Sequence, residues 1–371
     1  MEIIMVKFPY DEVTALIKKF CVIAERFEID IPAVLSLDLQ ETDKEIGSYP
    51  VISLLELQNF SWDFMILVCD EEVADKITPK MVEAGIGREE QFKNIWWLLK
   101  QFMIQKYEDI NDPDIQATLE YWKTHEISFF NQHIDINKGK GHRVFFDDPC
   151  GLPNVYFQTV GGEWRKMFFP KDFEFTEKNG ETFVLGLLQE QEPTSPHLYI
   201  KGEHKVNPGD IIIDAGVCEG NFALKYVDIC SKMYLFECEP KWVEVLRQTF
   251  RDYRDKVEII PKFLSDVTDD KNITIDEALP DLRGQNIFLK MDIEGAEPHA
   301  LRGAKRILTN NRVKASVCAY HNADDCIRIK GIFRKYGYKV STSDGWMVFT
   351  IDPNLLDTLD FRKGIVYAEN Y

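Results

Sequence analysis

The sequence predicts an α/β protein whose larger part, residues 205–371, is a doubly wound, Rossmann-like sheet finished by antiparallel C-terminal strands. A smaller α/β domain over 1–137 and a β-rich connector over 138–204 precede it. Three observations carry this reading. After residue 205, apolar strand-length runs alternate with helix-length amphipathic ones. Between 138 and 204, short aromatic and β-branched runs are broken by Gly, Pro, Asn and Asp at hairpin-like intervals. Near the amino terminus, one apolar strand leads directly into a helical pattern.

In the first domain, Val13, Leu16, Ile17, Phe20, Ala24 and Phe27 recur at helical spacing behind Asp11, which predicts a helix over 11–27. A strand follows at Phe64–Cys69, then a helix that stops at Gly85 or Gly87. Two more helices are expected, one in "EEQFKNIWWLLKQFMIQK" and one in "DPDIQATLEYWKTH", where Asp112 caps and Pro113 opens the first turn. Trp96, Trp97 and Trp122 sit on apolar helix faces and read as core.

In the larger part, strands are expected at Ile211–Ala215, Met233–Glu237, Val257–Ile260, Asn286–Met291 and Ala315–Tyr320. Helices are expected at about 219–229, 240–252, 296–309 and 323–336. The runs "YKVSTS", "WMVFTI" and "GIVYAEN" then predict short antiparallel strands.

Bulk properties narrow the function. The 371 residues carry a formal net charge of -18, the wrong sign for a surface that neutralises nucleic-acid phosphates. Eight cysteines contain no C-x-x-C pair and read as reduced thiols, with no metal site. No run approaches the length of a membrane span, and the amino terminus lacks a basic, apolar leader pattern, so the expectation is cytoplasmic. The charge balance points to a partner that is neither nucleic acid nor a membrane, with a homo-oligomer compatible.

The chemistry gathers at the carboxyl ends of the strands, where open α/β sheets bind ligands. "GDIIIDAGVCEGNF" places Asp214, Gly216, Gly220, Asn221 and Phe222 after the first strand of the sheet. "FECEP" places Glu237 and Cys238 after the second, and an acid there suits a ribose diol. A dinucleotide needs bare amides for its pyrophosphate, whereas this turn lacks G-x-G-x-x-G and supplies Asp214 with Glu219 nearby. The acidic turn favours S-adenosylmethionine, which is cationic, as the cofactor. An NAD-dependent oxidoreductase and a non-catalytic cofactor-binding scaffold stay as alternatives.

With "YLFECEPKW", "FLSD", "ITIDEAL", "FLKMDIEGAEPHALRGA", "CAYHNADD", "GYKV" and "FRKGIVYAEN" in order, residues about 205–371 resemble the FkbM family of class I S-adenosylmethionine-dependent methyltransferases. "KMDIEGAE" is the most specific of these strings. A much weaker likeness extends to "YFQTVGGEWRKMFFPKDF" and to residues 63–130. The family's first motif usually reads Asp-x-Gly-Ala-Asn-x-Gly, and Val217 and Cys218 stand here in place of Ala-Asn. The resemblance implies O-methylation of a hydroxyl, often on a sugar or natural-product scaffold.

Strand order puts Ser265 and Asp266 at the adenine edge. Candidate proton handlers are Asp292, Glu294, Glu297 and His299 after the fourth strand and His321 after the fifth. His321 is the expected general base or substrate ligand, its ordinary pKa suiting neutral pH, with a structural helix cap as its other reading, and Asp292 orients it, holds the methionine amino group or binds a metal with Glu294. Glu297 also reads as a dipole-stabilising acid at the start of its helix, and His299 as solvent-facing.

Overall fold

A computed structural model of the chain describes residues 3–7, 17–18, 26–28, 30–36, 44–46, 48–57, 65–68, 71–83, 85, 87–131, 144–173, 186–352 and 354–371. Two compact units emerge: residues 1–131 with 350–360, and residues 132–349 with 361–371.

The first unit holds a six-stranded sheet of β1 (Ile3–Lys7), β2 (Val34–Ser36), β3 (Glu45–Ile46), β4 (Tyr49–Ile52), β5 (Met65–Val68) and β6 (Phe92–Asn94), in the order β3-β4-β2-β1-β5-β6. All pairs are parallel except β3 with β4. The helix Glu71–Glu83 joins β5 to β6 as a crossover. The expected helix at 89–106 starts later, at Ile95, because Phe92 is buried and pairs with Ile66 in the sheet. Asn94 caps it by accepting the Trp97 N–H at 3.0 Å. Asp112 caps the helix Pro113–Tyr121 through the N–H groups of Asp114 and Ile115. Trp122 is core, its Nε1–H donating to Asn131 Oδ1 at 2.8 Å, while Trp96 and Trp97 are half-buried. The helix expected over 11–27 lies outside the described residues apart from Ile17, Lys18, Arg26 and Phe27.

The second unit begins with a hairpin of β7 (Asn154–Gln158) and β8 (Trp164–Phe168). The hairpin is bonded to later helices: Val160 N–H donates to the Lys225 carbonyl at 2.8 Å, and Phe168 N–H to Thr249 Oγ1 at 3.1 Å. Residues 144–173 and 186–204 fall in the same compact unit as 205–349.

The main sheet comprises β9 (Ile211–Ala215), β10 (Lys232–Phe236), β11 (Val257–Ile260), β14 (Asn286–Met291), β15 (Arg312–Cys318), β16 (Lys339–Thr342) and β17 (Ile365–Glu369). A two-stranded pair, β12 (Phe263–Leu264) and β13 (Asn272–Ile273), lies outside it. Its order is β11-β10-β9-β14-β15-β17-β16, with β17 antiparallel to both neighbours and the others parallel. The order reverses between β9 and β14, which makes their carboxyl ends the natural ligand crevice. "WMVFTI" forms no strand: Met347, Val348 and Phe349 are all buried in succession, which a one-faced edge strand does not allow, and Met347 pairs only with Arg362.

Alternation divides the central strands cleanly. Ile211, Ile213, Ala215, Ile287, Leu289 and Met291 enter one apolar core. The opposite face carries Ile212, Asp214, Phe288, Lys290, Ser316 and Cys318, all buried. Residues 197–204 cover this second face and are fastened to β15: Ser316 Oγ donates to the Tyr199 carbonyl at 2.7 Å and Lys314 Nζ to the Glu203 carbonyl at 2.6 Å.

Beyond β14, the helices Glu297–Arg302 and Lys305–Asn310 meet at Gly303, where an added Cβ would lie 2.2 Å from the Ser265 carbonyl oxygen. Gly331, inside the helix Asp325–Lys335, faces open space. The same substitution should therefore have opposite signs. Gly303→Ala is expected to lower unfolding free energy by about 1–3 kcal/mol through overpacking. Gly331→Ala is expected to raise it by up to about 1 kcal/mol through helix propensity. Denaturant melts of both variants check this, and equal effects would contradict the packing at Gly303.

Candidate active site

The parallel register sets Lys290 of β14 opposite Asp214 of β9 on the covered face of the sheet. Lys290 Nζ lies 3.2 Å from Asp214 Oδ1 and also donates to the Gly216 carbonyl. Asp214 is 1% exposed and Lys290 5%. Burial works against the charge on Lys290, but Asp214 and Asp292 outweigh it and hold the ammonium pKa above its ordinary value. One residue past β9, Gly216 adopts φ +74°, and a Cβ there would fall 1.6 Å from the Asp292 carbonyl oxygen. No side chain fits this crossing.

The turn after β9 has three left-handed residues in five: Gly216, Cys218 (φ 49°) and Gly220 (φ 87°). Glu237, just beyond β10, fixes it. Its Oε2 accepts the Cys218 N–H at 2.9 Å and its Oε1 the Glu239 N–H at 2.9 Å. Each oxygen still has a lone pair to offer a diol. The conformation of Cys218 also explains the residue usual in the resembled motif, because Asn tolerates the left-handed region that Cys does not.

Asp292 is the hub of a buried polar cluster. Tyr199 Oη–H donates to Oδ2 at 2.9 Å and Tyr320 Oη–H to Oδ1 at 3.2 Å. Two histidines flank it, His197 Nε2 at 3.6 Å from Oδ2 and His321 Nε2 at 3.4 Å from Oδ1. Each histidine turns its other ring nitrogen to a second acid: His197 Nδ1 lies 3.8 Å from Glu190 and His321 Nδ1 3.1 Å from Glu297. Glu297 also accepts the Ile293 N–H at 2.8 Å, so it braces the turn after β14 as well as the histidine. Burial opposes charge on Asp292, yet hydrogen bonding and charge from His197, with Lys290 and His321, hold its carboxyl well below the usual range. Burial likewise opposes charge on His321, but Glu297, Asp292 and Glu294 raise its pKa.

Atoms of Asp292, Glu297 and His321, and of His197, Asp292 and Cys318, come close enough to hold a cation. In both clusters each ring faces one carboxylate with each nitrogen, and a second acid on the far nitrogen is also what orients a metal-ligating imidazole, so this geometry is shared by an ion-paired cluster and a cation site.

A cavity of about 470 Å³ opens over the ends of β9, β10 and β14. Leu187, Phe236, Trp242 and Phe263 form apolar walls. Six acids line it, Glu190, Glu219, Glu237, Glu239, Asp292 and Glu294, against two lysines, Lys262 and Lys290. Burial pushes the Glu219 carboxyl up to about 7.

Of the residues expected from sequence, Gly216, Asn221, Glu237, Cys238 and Asp292 line this cavity. Asp214 stands behind it as the partner of Lys290, and Gly220 caps the helix Asn221–Tyr226. Phe222 packs against Tyr199 and Phe288. Ser265 and Asp266 are not in the lining; Phe263 and Leu264 are, and Asp266 is held by Arg302 at 3.0 Å and His299 at 3.2 Å. His321 was expected at the ligand rim as a free base. It is buried instead, pinned between Asp292 and Glu297, and its raised pKa disfavours the neutral ring a base needs.

Sequence reasoning passed over Lys290, Tyr199, His197, Tyr320 and Glu190. Lys290 had a signal, a lone charge inside the apolar strand "NIFLKM". Tyr320 lies inside "CAYHNADD", where His321 beside it took the attention, and the others lie in segments without a motif.

Residues 257–340, about a quarter of the chain, match the family model described as the methyltransferase FkbM domain, the stretch that holds "KMDIEGAE" and "CAYHNADD". This match supports an S-adenosylmethionine-dependent methyltransferase. No curated protein matches the chain. Among solved structures, it is similar to a methyltransferase FkbM of Methylobacillus flagellatus KT, at 14% identity over 99% of this chain and 89% of that one, with a TM-score of 0.41. It is also similar to the precorrin-6y C5,15-methyltransferase of Geobacter metallireducens, at 12% identity over 45% and 85% of the two chains, TM-score 0.31. A third is the magnesium protoporphyrin IX methyltransferase of Synechocystis PCC 6803, solved with its S-adenosylmethionine, at 15% identity over 44% and 71%, TM-score 0.28.

Two outcomes are expected from this geometry. Cys218→Asn should relieve left-handed strain of about 1 kcal/mol and raise the melting temperature, and a lowered one would refute the strain. The folded chain binds the Glu219 proton more tightly than the unfolded chain, whose carboxyl titrates near 4.5. Stability from this group is therefore fully present below about pH 4.5 and lost as pH rises through about 7. Glu219→Gln should change little near pH 4 and stabilise by on the order of 2–3 kcal/mol near pH 8, measured by urea melts. An equal effect at both pH values would show that Glu219 titrates normally.

Proposed function

We propose that this chain, whose residues 257–340 carry the FkbM methyltransferase match, methylates a hydroxyl oxygen of a small-molecule or saccharide acceptor with S-adenosylmethionine. One observation supports the cofactor most directly: a glycine turn tied to Glu237 opens on a cavity with six acids and two lysines in its wall. A pyrophosphate meets repulsion there, whereas a sulfonium and an ammonium meet attraction. The residues present therefore fit S-adenosylmethionine.

When bound, this cofactor supplies an electrophilic methyl group on a charged sulfur. Glu237 holds the ribose diol through the lone pairs left by its two amide contacts. Leu187, Phe236, Trp242 and Phe263 exclude water from the walls. Asp292 accepts a hydrogen bond from the acceptor hydroxyl and turns an oxygen lone pair toward the cavity. Tyr199 and Tyr320 fix the angle of that carboxylate. Asp292, its carboxyl held well below the usual range, orients the hydroxyl without keeping its proton, and Glu190, whose carboxyl pKa burial raises, stands beyond His197 as the group of the cluster better suited to hold it. His321 acts through Asp292 and Glu297 as a positioning residue. The acidic lining and net charge also favour a neutral acceptor over a nucleic acid.

Calorimetry on the full chain should show binding of S-adenosylmethionine and none of NAD. Near pH 7, binding should release protons as Glu219 ionises beside a cation, seen by repeating the titration in buffers of different ionisation enthalpy. Binding of NAD with proton uptake would instead favour an oxidoreductase. Asp292→Asn should lower turnover about 10²–10⁴-fold with cofactor affinity little changed. Undiminished turnover would remove Asp292 from the chemistry.

A further inference from the structure

We propose that Lys290 and Glu219 together read the amino-acid end of the cofactor, Lys290 taking its carboxylate and Glu219 its ammonium. This assignment rests on the S-adenosylmethionine reading above and adds which residues hold the end of the molecule remote from the ribose.

Strand order fixes the direction in which the ligand lies. Glu237 leaves β10, Gly216 leaves β9 and Lys290 sits near the end of β14, and these three strands are consecutive neighbours in the sheet. Strands lie about 4.8 Å apart, so β10 and β14 are about 10 Å apart. A ligand whose ribose meets Glu237 therefore extends its other end across Gly216 toward β14. Gly216 makes this crossing passable, because any side chain there would strike Asp292.

At that end the two groups of opposite sign are incompletely satisfied. An ammonium has three N–H donors: Lys290 gives one to the Gly216 carbonyl, faces Asp214 Oδ1 at 3.2 Å as an ion pair, and lies 5.4 Å from the Tyr199 ring centroid. Among the described residues, no acceptor engages the third. Lys262, the other lysine of the cavity, donates to the Asp270 carbonyl and stands beside Phe263, away from β14. Glu219 is 6% exposed, lines the same cavity and has no ion-pair partner among the described residues. A zwitterion supplies an acceptor for the remaining Lys290 donor and a cation for Glu219, with no net charge added.

The experiment compares S-adenosylhomocysteine with its decarboxylated analogue, which keeps the adenosine, the sulfur and the amine. Titrated calorimetrically into the unmodified chain, the carboxylate-bearing ligand should bind about 10–100-fold tighter, the range of a hydrogen bond to a charged group. Lys290→Met should abolish that preference while leaving affinity for the analogue near its original value. Because Lys290→Met strands a buried Asp214, the Asp214→Asn/Lys290→Met pair, which leaves no uncompensated charge, serves where the single variant does not fold. Equal binding of both ligands by the unmodified chain, or a preference that survives in either variant, overturns the assignment and leaves the cofactor reading standing. Failure of both ligands to bind the unmodified chain overturns the two together.

Discussion

Lys290 and Asp214 form a salt bridge in the middle of a sheet buried on both faces, and the site is arranged around it. Removing one member of such a pair leaves a charge without water or partner, at a cost of about 3–5 kcal/mol. The pair therefore locks the register of β14 on β9. The same register brings the Asp292 backbone to Gly216, and the Asp292 N–H donates to the Ala215 carbonyl at 2.9 Å. A slip of one residue would send Lys290 into the apolar core among Leu289, Met291 and Ile213. The fold and the mouth of the cavity are held by one contact.

That arrangement needs a lid over the polar face, and residues 197–204 supply it. Tyr199 serves two roles at once, its carbonyl receiving Ser316 and its hydroxyl reaching Asp292. The chain of Glu190, His197, Asp292, His321 and Glu297 alternates acid and base without a break. Alternation lets each charge be balanced by its neighbours in a region with little water. It also explains why His321, though it follows a strand end, serves the cluster and not the cavity. Its ring has no nitrogen left for a ligand.

The strands of the larger unit were legible because each is a short apolar run with sharp ends. Ile211–Ala215, Val257–Ile260 and Asn286–Met291 begin and end at the residues expected. Glu237 and Asp292 were legible for a related reason, since an acid directly after a buried strand has nowhere to go but the sheet edge. Ser265 and Asp266, expected at the adenine edge, stand outside the cavity lining, because Asp266 finds Arg302 and His299 on a helix whose position no local pattern reveals. His197 and Tyr199 were invisible, since they come from a segment without periodicity and gain meaning only when folded onto β15. Lys290 was overlooked because its partner, Asp214, lies 76 residues away and had already been assigned to the ligand.

The acidity of the cavity is best understood through what it would cost each ligand. Two unit charges 4 Å apart interact by about 4 kcal/mol at the effective dielectric of a partly buried site. Six carboxylates face two lysines, each already engaged by part of its ammonium, so an entering pyrophosphate with its two charges meets more repulsion than attraction. The site can lower its own charge most easily at Glu219, whose carboxyl burial has pushed up to about 7. Below that pH it takes a proton, and beside a cation it gives the proton back. An anion would push the same group the other way and add to the cost. The cavity as a whole is therefore short of positive charge, and a positively charged donor is the class of ligand that supplies it.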